Sequence, residues 1–423
     1  MNTTAELYQL ATRREIFEVL HQRKPKASSH TQWHVSGMQL AIAVGIFLTA
    51  TAAFAHFFEK SETFPTITEG RSTVRRIHRA APPPPSSAPT IRDEEPTLPQ
   101  SVRQRGVYMT ATSVSEQDFF EKKIQELIDA GGTTFIMDVK GAYVYFNALS
   151  PLAQELKLVQ PLYNLPEIIQ EAKKRGLYTA VRFLATKDPL LASRHPDARM
   201  KNPQTGIGIQ GQWVDPSHPT VLRYNEEILR EVVAAGVDEI NIDYIRYPTE
   251  YPMSWVGLTA QERADRLEKW LKMARRVIDE VNPDVQLGIS TFAILGWNFE
   301  VNVKRLGQDV PRFAPLVDVI SPMAYPVTFA VGHYYNPAKH PRSRMYYLVW
   351  KTLEGYKQLV GPKHAHKIRP WIQGYYTTPQ NMRDQMDAVF DAGMCGFTVW
   401  SPSNLYAQTY EALREIEIPE TCL

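Results

Sequence analysis

Eight times between residues 105 and 416, a short run of alternating apolar residues is followed by a loop or by a longer stretch with helical spacing. That repetition constrains the chain most, because strands separated by helices join in parallel and cover the sheet with helices. Strands are expected over 105–110, 133–139, 177–184, 237–243, 285–292, 317–325, 367–375 and 396–401. Helices are expected over 115–130, 165–175, 220–235, 260–281, 344–360, 379–392 and 406–416, with Gly131-Gly132, Gly176 and Gly236 as stops. The fold class is α/β. Eight strands over roughly 310 residues match a (β/α)8 TIM barrel in count and size. A doubly wound open sheet is the alternative. It would carry a glycine-rich phosphate turn after the first strand, where this chain reads Thr110-Ala111-Thr112-Ser113.

The barrel, at residues 105–416, leaves room for other segments in a chain of 423 residues. Residues 1–36 are polar and mixed in charge. Residues 38–58 carry no formal charge and are long enough to cross a bilayer as a helix. They have no polar face, which argues against a buried soluble helix. We expect a single-pass transmembrane anchor over 37–58, seated in the lipid bilayer. The alternative is a cleaved secretion signal, for which Ala53-Phe54-Ala55 fits a small-x-small site. The long polar stretch in front favours the anchor. Arg23, Lys24 and Lys26 precede it, and Lys60, Arg71, Arg75, Arg76 and Arg79 follow. Charge alone slightly favours a barrel on the cytoplasmic side. Residues 59–104 are centred on Pro82-Pro83-Pro84-Pro85 and form an extended linker. Residues 417–423 are a tail.

The net charge of +2 gives no nucleic-acid footprint. The two cysteines, Cys395 and Cys422, lack metal-site spacing. Cys422 falls in the tail, so no disulfide is expected. His364-Ala365-His366 precedes the seventh strand, at the end of a barrel away from chemistry, so neither a metal nor another cofactor is expected. There is no Gly-x-Ser-x-Gly elbow.

The fourth strand is the richest. In Val237-Asp238-Glu239-Ile240-Asn241-Ile242-Asp243-Tyr244-Ile245-Arg246-Tyr247-Pro248, Ile240, Ile242 and Tyr244 share one parity, and Asn241, Asp243 and Ile245 the other. Asp243 ends the strand, where such barrels carry their chemistry. Asp138 stands in the same position on the second strand. Two carboxylates across a barrel mouth suit glycoside hydrolysis, one giving a proton to the leaving oxygen and one staying ionised. Asn241, Tyr244, Arg246, Lys140 and Arg182 are candidate substrate contacts around the pair. Tyr325, Gln373 and Trp400 at neighbouring strand ends, and Trp297 in the loop after the fifth strand, are further candidates, since rings there suit sugar stacking. The structural alternatives are plain: Asp138 pairs with Lys140 or Arg182, and Asp243 with Arg246.

Trp213-Val214-Asp215-Pro216-Ser217-His218-Pro219, a helix, and then the 237–248 stretch resemble the DUF4015 glycosyl hydrolase domain family, over about 105–406. More distantly, the chain is similar to family 18 chitinase-like barrels. Their fourth-strand Asp-x-x-Asp-x-Asp-x-Glu pattern falls here on Asp238, Asn241, Asp243 and Ile245, and Met323-Ala324-Tyr325 and Trp400 also match. The resemblance implies a polysaccharide or oligosaccharide substrate and a barrel outside the cytoplasm. Ile245 removes the chitinase acid, so Asp243 takes the acid or acid/base role, with Asp138 as its partner. A non-catalytic glycan-binding barrel is the alternative. A deacetylase or phosphate-ester enzyme is a third, with neither a metal triad nor a phosphate loop to support it.

Overall fold

The computed structural model describes residues 98–422, with the exception of Gln210. The polar segment over 1–36, the anchor over 37–58 and nearly all of the linker lie outside these residues. Among the described residues no helix is long and apolar enough to cross a membrane.

The strands are β1 (Arg105–Met109), β2 (Thr134–Lys140), β3 (Val144–Phe146), β4 (Val159–Tyr163), β5 (Tyr178–Leu184), β6 (Glu239–Asp243), β7 (Gln286–Phe292), β8 (Val319–Ala324), β9 (Trp371–Gln373) and β10 (Phe397–Trp400). Eight of them run in the order β1-β10-β9-β8-β7-β6-β5-β2, and β1 pairs with β2 to close the ring. All pairings within the ring are parallel. The chain is a (β/α)8 barrel, and all eight expected strands are in it. β9 starts later than expected, after Pro370, which has no N–H to give the ladder.

Two strands were not expected. β3 pairs antiparallel to the end of β2, and β4 pairs with β3. Together they extend the sheet outside the ring, between β2 and β5.

The longer helices are α1 (Gln117–Asp129), α2 (Leu165–Lys174), α3 (Pro219–Ala234), α4 (Ala260–Val281), α5 (Phe299–Leu306), α6 (Arg344–Val360), α7 (Pro379–Asp391) and α8 (Ala407–Glu415). α5 was also unexpected. α4 starts at a capping box between Thr259 and Glu262 and buries Leu267, Trp270, Leu271, Ala274, Val277 and Ile278 against the barrel. α3 ends at Gly236, whose φ of +81° turns the chain back toward β6 at no Cβ cost. Asp238 then locks the entry to β6. It accepts from the backbone N–H and the hydroxyl of Thr179 and pairs with Lys173 at 2.7 Å.

Alternation along β6 fixes the rest. Ile240 and Ile242 pack in the apolar layer under the helices. Glu239, Asn241 and Asp243 enter the barrel at three levels. At the lowest, Glu239 holds Arg369 through bonds of 2.8 and 2.7 Å, and neither side chain is exposed. Arg369 also donates to the carbonyl of Ser101, in the short helix Gln100–Arg103. In the middle, Asn241 accepts from Ser290 at 2.6 Å and donates to Ser321, and Trp371 donates to Ser290. Asp243 stands at the top. Branched apolar residues dominate most such barrels; along β6 this one is filled at three levels by hydrogen-bonded polar groups.

The tail corrects the reading of the cysteines. Cys395 and Cys422 form a disulfide, with their Cα atoms 5.1 Å apart. Residues after α8 fold back beside the start of β10, and the helical turn Glu420–Cys422 leaves Cys422 buried. A tail docked on the barrel, not a loose one, brings the two sulfurs together.

Candidate active site

Asp138, Arg182 and Asp243 come from adjacent strands β2, β5 and β6, all with inward parity near their carboxyl ends. Arg182 lies between the two carboxylates. Its Nη1 donates to Asp138 Oδ1 at 2.7 Å. Its Nε and Nη2 reach Asp243 Oδ2 at 2.9 and 2.7 Å. The backbone N–H of Tyr244 donates to Asp243 Oδ1 at 2.6 Å, and Tyr108 donates its hydroxyl to Asp138 Oδ2 at 2.5 Å. Tyr163 donates to the Asp138 carbonyl. All three charged residues are buried.

Burial works against the Arg182 charge, but Asp243 and Asp138 outweigh it and hold the guanidinium well above its ordinary pKa. Burial first, and then the Asp138 charge, push the Tyr108 phenol well up, so it stays neutral and donates. The same two causes raise Tyr145, on β3, to about 12. The β3–β4 extension thus contributes two phenols to the surroundings of Asp138.

Rings line the adjoining side. Tyr325 and Trp400 stack at 5.5 Å and 26°. Tyr375 meets Trp400 edge-on at 5.3 Å, and Tyr108 lies 6.3 Å from both Trp400 and Trp371. Tyr108 therefore touches the carboxylate group and the ring cluster together. Past the end of β9 a cleft of about 360 Å³ opens, with Tyr375, Tyr376 and Leu405 in its lining. Tyr376 is 89% exposed there.

The other expected contacts lie elsewhere. Lys140 shares the sequence parity of Asp138, but a register shift between them turns it outward. It is buried on Asp188 at 2.9 Å, over the rings of Phe183 and Tyr224. Asn241 is sealed one level below Asp243. Gln373 uses its amide on the Val327 N–H and the Tyr375 carbonyl, which fixes two strand-end loops. Trp297 packs in a separate cluster with Phe329, Tyr334 and Tyr347, and donates to Thr352. Asp243 does not pair with Arg246, whose guanidinium lies over the rings of Trp213, Tyr244 and Phe292.

The break comes at Tyr244. Its φ is +52°, in the left-handed region that non-glycine residues rarely enter. The strand's alternation stops there, and Ile245 turns into the apolar layer, fully buried. Trp213 packs against Tyr244 at 5.8 Å, so the Trp213–Pro219 stretch and the β6 end meet in space. Its Asp215 pairs with Arg266 at 2.5 Å, and its His218 caps α3.

Sequence reasoning missed Tyr108, although it has inward parity on β1, and Glu239, whose partner Arg369 is 130 residues away. The first was legible from alternation. The second needed the closed ring.

The fold defines a parallel (β/α)8 barrel of the α/β class. Residues 106–406 match the family model described as "Putative glycosyl hydrolase domain", DUF4015, and the chain belongs to that family. Among solved structures, the β-galactosidase from the psychrophilic Marinomonas ef1 is similar at a TM-score of 0.52 and 11% identity, covering 73% of this chain and 58% of that one. The α-L-fucosidase isoenzyme 2 of Paenibacillus thiaminolyticus is similar at 0.48 and 14%, covering 74% and 48%. A hypothetical protein of Ruminiclostridium thermocellum ATCC 27405 is similar at 0.37 and 24%, covering 43% and 96%. The chain thus spans about half the length of the first two, and at these identities the likeness is one of fold. No curated protein matches the chain.

Proposed function

We propose that the barrel is a glycoside hydrolase acting on a polysaccharide, with Asp138 and Asp243 as its carboxylate pair. The observation that carries this reading is the Asp138–Arg182–Asp243 bridge at the carboxyl ends of the strands, beside the stacked Tyr325 and Trp400. Membership of a glycosyl hydrolase family supports it.

Cleavage needs a proton for the departing oxygen and a negative charge beside the anomeric carbon. Among the described residues every donor on Asp243 is an N–H group, which has nothing to accept a proton with. Asp138 has the Tyr108 hydroxyl, which can turn and accept. We therefore reverse the roles expected from sequence. Asp138 carries the proton, and Asp243 stays ionised toward the sugar ring. Tyr325, Tyr375 and Trp400 form the stacking surface.

One observation favours a second reading, a glycan-binding barrel without turnover: Arg182 occupies both carboxylates at once. The two readings separate in one experiment. The full chain is incubated with neutral, acidic and amino-sugar polysaccharides while new reducing ends are counted. Release supports hydrolysis. Binding without release on every glycan, weakened in Trp400→Phe, supports the binding barrel.

Residues 38–58 are proposed to anchor the chain once in the bilayer, with the barrel outside the cytoplasm. The disulfide supports that side, because such bonds persist in oxidising compartments. Protease treatment of intact cells tests it. Cleavage of the barrel is expected; protection of the barrel overturns the placement.

A further inference from the structure

A buried cation needs a counter-charge or a full set of acceptors. Arg182, Lys140 and Arg369 each meet a carboxylate. Arg263 has none among the described residues but gives its two terminal nitrogens to backbone carbonyls. Arg246 differs from all of these. It is 3% exposed, and among the described residues it donates once, from Nη1 to the Tyr247 carbonyl at 2.9 Å, and has no carboxylate partner. Three rings hold it instead, Phe292 at 4.7 Å, Trp213 at 4.8 Å and Tyr244 at 5.0 Å. A guanidinium has five N–H donors. Its Nε and Nη2 have no acceptor among the described residues, and neither is completely sealed.

A second cation shares the same ring. Lys187 Nζ lies 4.8 Å from the Tyr244 centroid, and no acid among the described residues pairs with it. Asp243 immediately precedes Tyr244, and its charge is spent on Arg182. With Asp138 protonated, Asp243 and Arg182 cancel, and Arg246 and Lys187 bring the strand-end total to +2.

The geometry points to an anion subsite at the end of β6, made by Arg246 and Lys187, for the carboxylate of a uronic acid residue. The fixed fork of Arg246 suits a planar carboxylate, and its three rings hold the fork in one place before the ligand arrives. The inference rests on the glycan reading of the Asp138–Asp243 site and names its substrate class, an acidic polysaccharide.

Binding tests it apart from turnover. The full chain is titrated with a soluble polyuronate, with the same polymer after carboxyl reduction, and with a sulfated neutral polysaccharide. The expected result is affinity for the polyuronate at least about tenfold above its reduced form, screened by salt. Arg246→Gln and Lys187→Gln should each remove most of that preference while leaving binding of the reduced polymer unchanged. Lys187 is only partly buried, so its variant decides the matter if Arg246→Gln does not fold. Equal affinity for the polyuronate and its reduced form overturns the subsite, as does an undiminished preference in Lys187→Gln. Tighter binding of the sulfated polymer than of the polyuronate overturns the carboxylate assignment. Selective polyuronate binding without any release of reducing ends would contradict hydrolysis and leave the subsite standing. Release from neutral polymers with no acidic preference would do the reverse.

Discussion

Two nitrogens of Arg182, Nε at 2.9 Å and Nη2 at 2.7 Å, converge on a single carboxylate oxygen of Asp243. The third nitrogen, Nη1, reaches across to Asp138. One guanidinium thus sets the positions of both acids before any substrate arrives, and the barrel supplies the stiffness. Preorganised charge of this kind costs no rearrangement at the moment of reaction.

The lowest level of the barrel should behave as pure structure. Arg369→Met strands Glu239 without a counter-charge in a site with no exposure. Breaking a buried pair costs about 3–5 kcal/mol. Denaturant unfolding should show a loss of that order, and Glu239→Gln combined with Arg369→Met should recover part of it. Glycan binding at the other end of the barrel should not change in the folded fraction.

The Cys395–Cys422 bridge closes a separation of 27 residues. Chain-entropy arguments give about 3–4 kcal/mol for a loop of this size. Cys422→Ser, or reduction of the native chain, should lower stability by about that much. An unchanged unfolding midpoint after reduction would show that the bridge contributes nothing.

Much of this was legible in the sequence. Asp138, Arg182 and Asp243 each sit near a strand's end on the inward parity, so alternation alone placed them together. Alternation fails where the backbone departs from it. The register shift after Asp138 carries Lys140 out of the barrel, and the left-handed Tyr244 does the same to Ile245. No sequence pattern announces either event. Trp297 lies in a loop after β7, where strand parity says nothing. Glu239 with Arg369, and Cys395 with Cys422, are pairs that only the closed barrel and the docked tail bring within reach.

Stability should also depend on pH through the histidines. Burial first, and then His195, hold His218 below its ordinary pKa of 6.5; burial and Lys367 do the same to His364. The unfolded chain therefore binds more protons than the folded one as pH falls through 6.5. Folding weakens there and recovers as pH rises. Thermal midpoints between about pH 5 and pH 8 should show this slope. His218→Asn keeps an N-cap side chain for α3 and should flatten it.

Tyr376 stands 89% exposed on the cleft beyond the ring cluster, held at a φ of +53°. A ring kept in the open in that conformation suits stacking against a sugar. Tyr376→Ala should weaken glycan affinity several-fold, roughly 1 kcal/mol, with little change in stability. Equal affinity by calorimetry would remove Tyr376 from the binding surface.

The direct test of the central claim is the rate of reducing-end release from the polysaccharide the wild type degrades, measured for wild type, Asp138→Asn and Asp243→Asn at equal folded concentration. Both substitutions keep the shape of the side chain and remove its charge and its proton chemistry. The account predicts a loss of at least about a hundredfold for each, the range expected when a positioned acid or charge is removed. Full activity in either variant would contradict the assignment of the Asp138–Asp243 pair.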